Sequence, residues 1–367
     1  MSIRPPITVA GSAIGPRILL LLLMMISAIS GFADSAEPLS PTNIFAPAST
    51  PANTIFGLSV FVLAVAAAIF MAVFSLLAYA VIRYRRKAGD DGHEPPQVYG
   101  SNQVELAWTV IPVLIVVALF MATARVIANV QTAAAPPNAM EVVAVGHQFW
   151  WEFRYPGLNV VTANELHVPV SDPAHPTPTF IKLLSADTDH SFWVPRLAGK
   201  TDLIPNTVNS MWIDPHEAGL YLGQCAQYCG TQHAKMLLRV YVQPREEFDR
   251  WIQAQRQPAH VNPPQATTER TEAPSDAAAE GHHIFEKTAC INCHAVAGTP
   301  ANGRFGPDLT HLMSRDTLAS GAVPNTPGNL RLWIKDPSAI KPGSLMPAMG
   351  LNDQDLDAVT AYLETLR

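Results

Sequence analysis

Two long apolar runs near the beginning of the chain limit what it can fold into. One extends from Thr54 to Ile82 and the other from Glu105 to Thr123. At about 1.5 Å of rise per residue, a helix of either length crosses the ~30 Å of hydrocarbon in a bilayer. Apolar residues make up 48% of the chain and charged residues only 15%, which fits a protein with membrane segments. The sequence therefore predicts a two-helix transmembrane hairpin over residues 54–125.

The charges around this hairpin indicate its orientation. Arg83, Arg85, Arg86 and Lys87 lie between the two runs, and clustered basic residues mark the cytoplasmic side of a span. Everything after Arg125 is therefore predicted to lie on the periplasmic side of a bacterial inner membrane. The formal net charge of -6 argues against a nucleic-acid partner, because nucleic-acid binders carry basic patches. It permits the docking of a basic protein.

Residues 1–34 have the pattern of a secretory signal peptide. Arg4 and Arg17 come before the apolar run 18–26, and small residues follow as far as Ala33. This order predicts cleavage near Ala33, and an uncleaved extra helix is the alternative. Residues 35–53 are rich in Pro, Ser, Thr and Ala, so we expect an irregular spacer there.

From about residue 139 the sequence changes to short apolar stretches separated by Pro, Asn, Asp and Gly. Three candidate strands occupy residues 140–145, 164–168 and 179–184. Strands of this length and spacing predict a small β-sandwich.

A short segment from Gly223 to Met236 is rich in metal ligands. Two thiolates, an imidazole and a thioether form a soft ligand set suited to copper. They belong to Cys225, Cys229, His233 and Met236. Gly223 and Gly230 argue against a helix, and the β-rich flanks predict a loop between two strands. A plain disulfide between the two cysteines is the structural alternative.

A two-copper site with bridging thiolates needs a second imidazole from elsewhere in the fold. His190 is the candidate, in the run His-Ser-Phe-Trp-Val-Pro that ends at Pro195. This run, the segment 199–205 and the C-x-x-x-C-x-x-x-H-x-x-M spacing together resemble subunit II of haem-copper cytochrome c oxidases. The resemblance implies a cupredoxin sandwich over residues 126–256 that holds a binuclear copper centre, CuA. Its implied ligands are His190, Cys225, the backbone carbonyl of Gln227, Cys229, His233 and Met236.

Gln227 departs from the family pattern. The family often has Glu at this position, and its carboxylate helps to bind magnesium at the boundary with subunit I. An amide is a poorer ligand for a hard cation. The substitution therefore leaves the copper prediction unchanged and weakens the case for magnesium.

Two further features take a role only from the resemblance. The aromatic run that contains Phe149, Trp150 and Trp151 would lie between copper, the electron donor and subunit I. Many relatives have Trp where this chain has Phe149, so the electron-entry route stays open. Glu105, at the start of the second span, would lie near the entry of a proton path into subunit I. A solvated interfacial carboxylate is the alternative.

A second redox motif lies near the end of the chain. Cys290, Cys293 and His294 form C-x-x-C-H, the attachment pattern of a c-type haem, in which two thioethers hold the haem and the imidazole binds iron. The Pro-rich residues 257–276 predict a linker, and residues 277–367 predict a small all-α cytochrome c domain. Resemblance to class I cytochromes c favours Met346 as the sixth ligand. Met349 is the competitor and Met313 a more distant one.

The parts together predict a transmembrane hairpin, an all-β cupredoxin sandwich and an all-α cytochrome c domain. The resemblance implies a caa3-type oxidase subunit that passes electrons from an external cytochrome c or bc1-type donor, through one haem c and two coppers, to subunit I. Subunit III would be a further partner. A nitric oxide or nitrous oxide reductase is the alternative, because the same copper loop serves these enzymes. A copper chaperone and a quinol oxidase subunit fit the motifs less well.

Overall fold

The computed structural model describes residues 42–85, 97, 100–131, 135–259 and 274–367. The predicted signal segment 1–34 and residues 35–41 of the spacer that follows it lie outside these residues. So do Arg86, Lys87 and most of the predicted linker.

Two long helices come first in the described chain, α1 (Thr50–Arg83) and α2 (Asn102–Val130). Both are long and apolar enough to cross a membrane, and their large apolar side chains are mostly exposed. Each helix continues beyond the predicted span at the end that meets the sandwich. Thr50 Oγ1 donates to Asp214 at 2.6 Å, and Trp212 Nε1 donates to the Val130 carbonyl at 3.0 Å. These contacts stabilise the helical turns that lie outside the predicted apolar spans.

The middle of the chain forms a β-sandwich of two five-stranded sheets, which confirms the predicted fold. One sheet has the order β3-β2-β1-β5-β8 and the other β4-β10-β9-β6-β7. The strands are β1 (Met140–His147), β2 (Trp150–Tyr155), β3 (Val160–Ala163), β4 (Glu165–Pro169), β5 (Thr179–Ser185), β6 (His190–Trp193), β7 (Thr201–Leu203), β8 (Asn209–Ile213), β9 (Gly219–Cys225) and β10 (Leu237–Gln243). Side chains such as Trp151 and Phe192 meet edge to face between the sheets, in one apolar core.

A helix that the strand pattern did not predict packs against the sandwich. It is α3 (Arg245–Gln255), and it buries Phe248 and Ile252 against the sandwich core. The spacing of these two residues places them on one face of the helix. Because most residues of this segment are polar, the sequence did not indicate this short amphipathic helix.

The C-terminal domain, residues 274–367, is mostly helical. Its helices are α4 (Pro274–Lys287), α5 (Cys290–Cys293), α6 (Pro327–Lys335), α7 (Pro337–Ile340) and α8 (Asp353–Leu363), with a two-stranded ribbon of β11 (Thr317–Leu318) and β12 (Val323–Pro324). Phe285 of α4 packs with Leu356, Val359 and Tyr362 of α8 in a second core. This α4–α8 pair is the main packing unit of the domain.

A buried carboxylate joins the sandwich to the C-terminal domain. Glu165, at the start of β4, is 2% exposed. It accepts hydrogen bonds from the backbone N–H groups of Asp316 and Thr317, at 3.1 and 2.9 Å, and from Thr317 Oγ1 at 2.8 Å. Tyr241 adds a hydrogen bond from its hydroxyl to the Asp316 carboxylate at 2.5 Å. The ribbon of the C-terminal domain is thus fixed to one edge of the sandwich.

Gly281 allows α4 and α8 to approach closely, and its replacement tests the packing of the domain. A Cβ at Gly281 would lie 1.9 Å from the Ala358 carbonyl oxygen. We expect Gly281→Ala to destabilise the C-terminal domain by ~1–3 kcal/mol, because backbone must move to admit the methyl group. Thermal unfolding followed by haem absorbance measures the effect. Gly328→Ala is the control, since nothing lies within 4 Å of the added carbon. Equal unfolding temperatures for the two variants would contradict this account.

Candidate metal centres

Two antiparallel strands hold the Cys-rich loop at both ends. Cys225 ends β9, and Leu237 begins β10 opposite Gln224. The Cys225 N–H donates to the carbonyl of Met236 at 2.9 Å. The loop that was predicted between two strands is therefore closed where its first and last candidate ligands lie.

Cys225 is at the centre of one half of the candidate copper site. Its Sγ lies 3.8 Å from Cys229 Sγ, 3.9 Å from His190 Nδ1 and 3.1 Å from the Gln227 carbonyl oxygen. The ligand atoms of His190 and the two cysteines all lie within 4.8 Å of one another. The structure thus brings together groups that lie far apart in the sequence.

Cys229 is at the centre of the other half. Its Sγ lies 3.8 Å from His233 Nδ1 and 3.9 Å from Met236 Sδ. Met236 and both cysteines are buried. Each sulfur therefore has one imidazole and one further soft or carbonyl donor, and this donor set suits a pair of copper ions bridged by two thiolates.

Asp187 orients the His190 ring. One oxygen of its carboxylate lies 2.8 Å from His190 Nε2, so Nδ1 points toward the sulfur of Cys225. Burial opposes the charged form of the imidazole. The hydrogen bonds to Asp187 and Cys225 outweigh burial, so the pKa of His190 is raised. A carboxylate behind a ligating imidazole is a common outer partner in metal sites. Sequence analysis missed this role, although an acid three residues before a candidate ligand was a visible signal.

The two thiols cannot both ionise easily at this separation. The neighbouring Cys229 side chain lowers the pKa of Cys225 to about 3, while the Cys225 sulfur raises the pKa of Cys229 well above its ordinary range. One proton therefore stays with the pair unless another positive charge replaces it. A copper ion bound here would supply that charge, because thiolate ligands bind a metal in their deprotonated form.

A cavity in the C-terminal domain gathers the predicted haem-binding side chains. Cys290, Cys293 and His294 line it, together with Met346 and Met349. Cys290 and Cys293 belong to one short helical turn, which places their sulfurs on the same side. The structure brings both methionines to the cavity, so the choice between them stays a prediction.

His294 and Arg315 show that this cavity fits a haem. His294 Nδ1 donates to the Pro307 carbonyl at 2.8 Å, which leaves Nε2 for iron. Burial lowers the pKa of His294 and favours its neutral, ligating form. Arg315 is buried in the cavity wall, and its Nε has no hydrogen-bond partner among the described residues. The same guanidinium donates from Nη2 to the Asp308 carbonyl, and its free Nε suits the carboxylates that a haem carries.

The aromatic run lies between the two candidate centres. Phe149 and Trp150 line the haem cavity from the sandwich side. The Phe149 ring also lies against the Cys-rich loop, since a Cβ at Gly230 would be 3.0 Å from it. Trp151 points into the sandwich core, where its ring centroid is 6.2 Å from that of His190. Phe149 is thus the aromatic residue that touches both the cavity and the loop.

Glu105 lies apart from both candidate metal centres. It lies in the first turn of α2 and is exposed. Its backbone carbonyl accepts from Thr109 Oγ1 at 2.9 Å. Its suggested role in proton entry depends on the resemblance and stays a prediction.

Three family models match successive parts of the chain. Residues 36–126 match "Cytochrome C oxidase subunit II, transmembrane domain", residues 173–242 match "Cytochrome C oxidase subunit II, periplasmic domain", and residues 278–367 match "Cytochrome c". The chain is therefore a two-span membrane protein with a periplasmic copper-type domain and a cytochrome c domain. Copper and haem c are the cofactors that these families imply.

Similar curated proteins cover most of the chain. It is 34% identical to cytochrome c oxidase subunit 2 of Alkalihalophilus pseudofirmus, over 84% of this chain and 85% of that protein. It is 32% identical to the subunit 2 of Bacillus sp. (strain PS3), over 77% and 80% of the two chains. A quinol oxidase subunit 2 of Bacillus cereus is 29% identical over 51% of this chain and 64% of that one. The extent of the first two matches confirms the predicted resemblance. This chain belongs to the cytochrome c oxidase subunit II family, and is a subunit of an oxidoreductase complex.

Proposed function

We propose that this chain is the electron-entry subunit of a caa3-type oxidase in a bacterial inner membrane. It takes electrons from a cytochrome c or bc1-type donor and delivers them to subunit I, where oxygen is reduced to water and protons are pumped. The observation that carries the proposal is the position of a cavity lined by Cys290, Cys293 and His294 beside the cluster of predicted CuA ligands, with Phe149 in contact with both. Subunit III is a further proposed partner.

The copper ligands divide into bridging and terminal groups. Cys225 and Cys229 would bridge the metals through their thiolates, with His190 and His233 as terminal ligands. The Gln227 carbonyl, beside Cys225, and the Met236 thioether, beside Cys229, would complete the set. A ligand set whose His190, Cys225, Cys229 and Met236 are buried leaves little room for a substrate, which suits electron transfer better than substrate binding. Magnesium is not part of this proposal, because Gln227 offers an amide where a carboxylate would be needed.

The haem ligands divide in the same way between attachment and iron binding. Cys290 and Cys293 would hold the group covalently, and His294 Nε2 and Met346 would bind its iron. When bound, the haem iron and the copper pair each exchange one electron without making or breaking bonds. His/Met ligation is that of electron carriers. Glu105 is proposed as a proton-entry group at the cytoplasmic end of α2.

His190→Ala tests the copper ligand set. Loss of one terminal imidazole should abolish the mixed-valence EPR signal and lower the copper content. The haem spectrum should stay unchanged, because the haem ligands lie in the other domain. His175→Ala is the matched control, since this histidine is exposed and, within the described part of the chain, pairs with Asp172. A mixed-valence signal that survives in His190→Ala would refute the ligand assignment.

Asp187→Asn tests the orienting carboxylate. We expect copper to bind roughly 10- to 100-fold more weakly, the usual effect of losing an outer-shell partner. The EPR pattern should persist once copper is saturating, because the ligands themselves are intact. Copper titration of the haem-loaded protein measures the change. An unaltered affinity would show that Asp187 does not support His190.

Met346→Ala and Met349→Ala together decide the sixth iron ligand. Loss of the true ligand should convert the low-spin haem to a high-spin or water-ligated form, which is visible in the optical spectrum. We expect this change in Met346→Ala and an unchanged spectrum in Met349→Ala. The reverse result would transfer the role to Met349.

A further inference from the structure

Lys341 is a buried side chain that crosses from the C-terminal domain to the sandwich. It is 4% exposed. Its Nζ donates to the Phe149 carbonyl at 2.8 Å and to the Ala319 carbonyl at 3.3 Å. Burial lowers the pKa of Lys341 to about 7, and a buried amine needs such partners to offset its lost hydration. The bond to Phe149 is thus a direct link between the two domains.

The other end of this link leads to the copper ligands. Gln148, the residue before Phe149, donates from Nε2 to the Cys229 carbonyl at 2.6 Å. Its backbone N–H donates to the Asp187 carboxylate at 2.6 Å, and Asp187 in turn orients His190. A hydrogen-bonded path therefore runs from Lys341 through two adjacent residues to both halves of the candidate copper site.

The near end of the link lies in the wall of the haem cavity. Lys341 and Phe149 both line that cavity, together with His294 and Met346. Lys341 also belongs to the segment that carries Met346, five positions earlier in the chain.

Other hydrogen bonds between the two domains reach different positions of the sandwich; Ser320 Oγ, for example, donates to the Leu237 carbonyl at 2.7 Å. Glu165 binds the ribbon through Asp316 and Thr317, and Tyr241 binds Asp316. These groups hold the edge of the interface. They offer a comparison for Lys341, because they join the same two domains at a different place.

We propose that Lys341 is a positioning residue for electron transfer between the two centres. Its hydrogen bond to the Phe149 carbonyl holds the haem cavity against the segment that contacts Cys229 and Asp187. The inference deepens the proposed relay and depends on it. One electron leaves the haem iron and one enters the copper pair, so no proton or other reactant is required for the step itself.

Lys341→Met tests this role in the full-length protein. The change keeps an aliphatic chain of similar length and removes the donor, which leaves a buried carbonyl without its partner. We expect hydrogen exchange at residues 148–151 of the haem-loaded, copper-free protein to rise about tenfold, as loss of one such bond predicts. After copper is added and the haem is photoreduced, transfer to copper should slow by about tenfold too. Haem and copper spectra should match those of the unsubstituted chain.

Tyr241→Phe is the matched control, because it removes one hydrogen bond between the same domains. It should alter exchange near Asp316 and leave both residues 148–151 and the transfer rate unchanged. Equal effects of the two variants would overturn a specific role for Lys341. So would unchanged exchange and an unchanged rate in Lys341→Met.

Lys341→Gln is the second variant for the same test, to be used if Lys341→Met does not fold. Its shorter side chain withdraws the donor from Phe149 and keeps a polar group, so the same slower transfer is expected. Normal transfer in folded Lys341→Gln would contradict the inference. Absence of copper, haem or any transfer in the unsubstituted protein would instead refute the proposed function.

Discussion

The separation of two sulfur atoms is the constraint on which the rest of the site depends. Cys225 and Cys229 are held 3.8 Å apart by a loop that two paired strands close at its base. Without a cation the second thiol keeps its proton, because the first one already carries the negative charge of the pair. The surrounding donors are placed to complete a metal centre that removes this conflict. Copper bound there would replace the retained proton as well as serve as the redox group.

The membrane helices are hydrogen bonded to the copper domain at their ends. Thr50 and Val130 lie at the ends of α1 and α2 that face the sandwich, and both are hydrogen bonded to strand β8 or the residues just after it. The same sheet contains β1 and β2, between which the 148–149 segment lies. One β-sheet therefore connects the two membrane helices with the surface that the C-terminal domain contacts.

Local motifs made most of the architecture and most of the ligands predictable. C-x-x-C-H and the Cys-rich loop identify their sites because the chemistry demands fixed spacing over a few residues. Lys341 and Gln148 form no such pattern, since their partners are distant in sequence and include backbone carbonyls. Asp187 lies only three residues before His190, but a single acid at that spacing is too common to identify a site. Helix α3 was not predicted for another reason: its apolar face contains few residues among many polar ones. The choice between Met346 and Met349 depends on haem geometry that spacing alone does not provide.

The anchoring of Glu165 has a consequence for how this interface can change during evolution. Two of its three hydrogen bonds come from backbone N–H groups of residues 316 and 317, and only one comes from a side chain. Substitutions in that ribbon preserve most of the contact as long as the chain keeps its path. The side chain at position 165 has less freedom, because an apolar or shorter group there leaves the N–H donors without an acceptor. Sequence drift should therefore be unequal across this joint, with a nearly fixed hydrogen-bond acceptor on the sandwich and a variable partner on the haem domain.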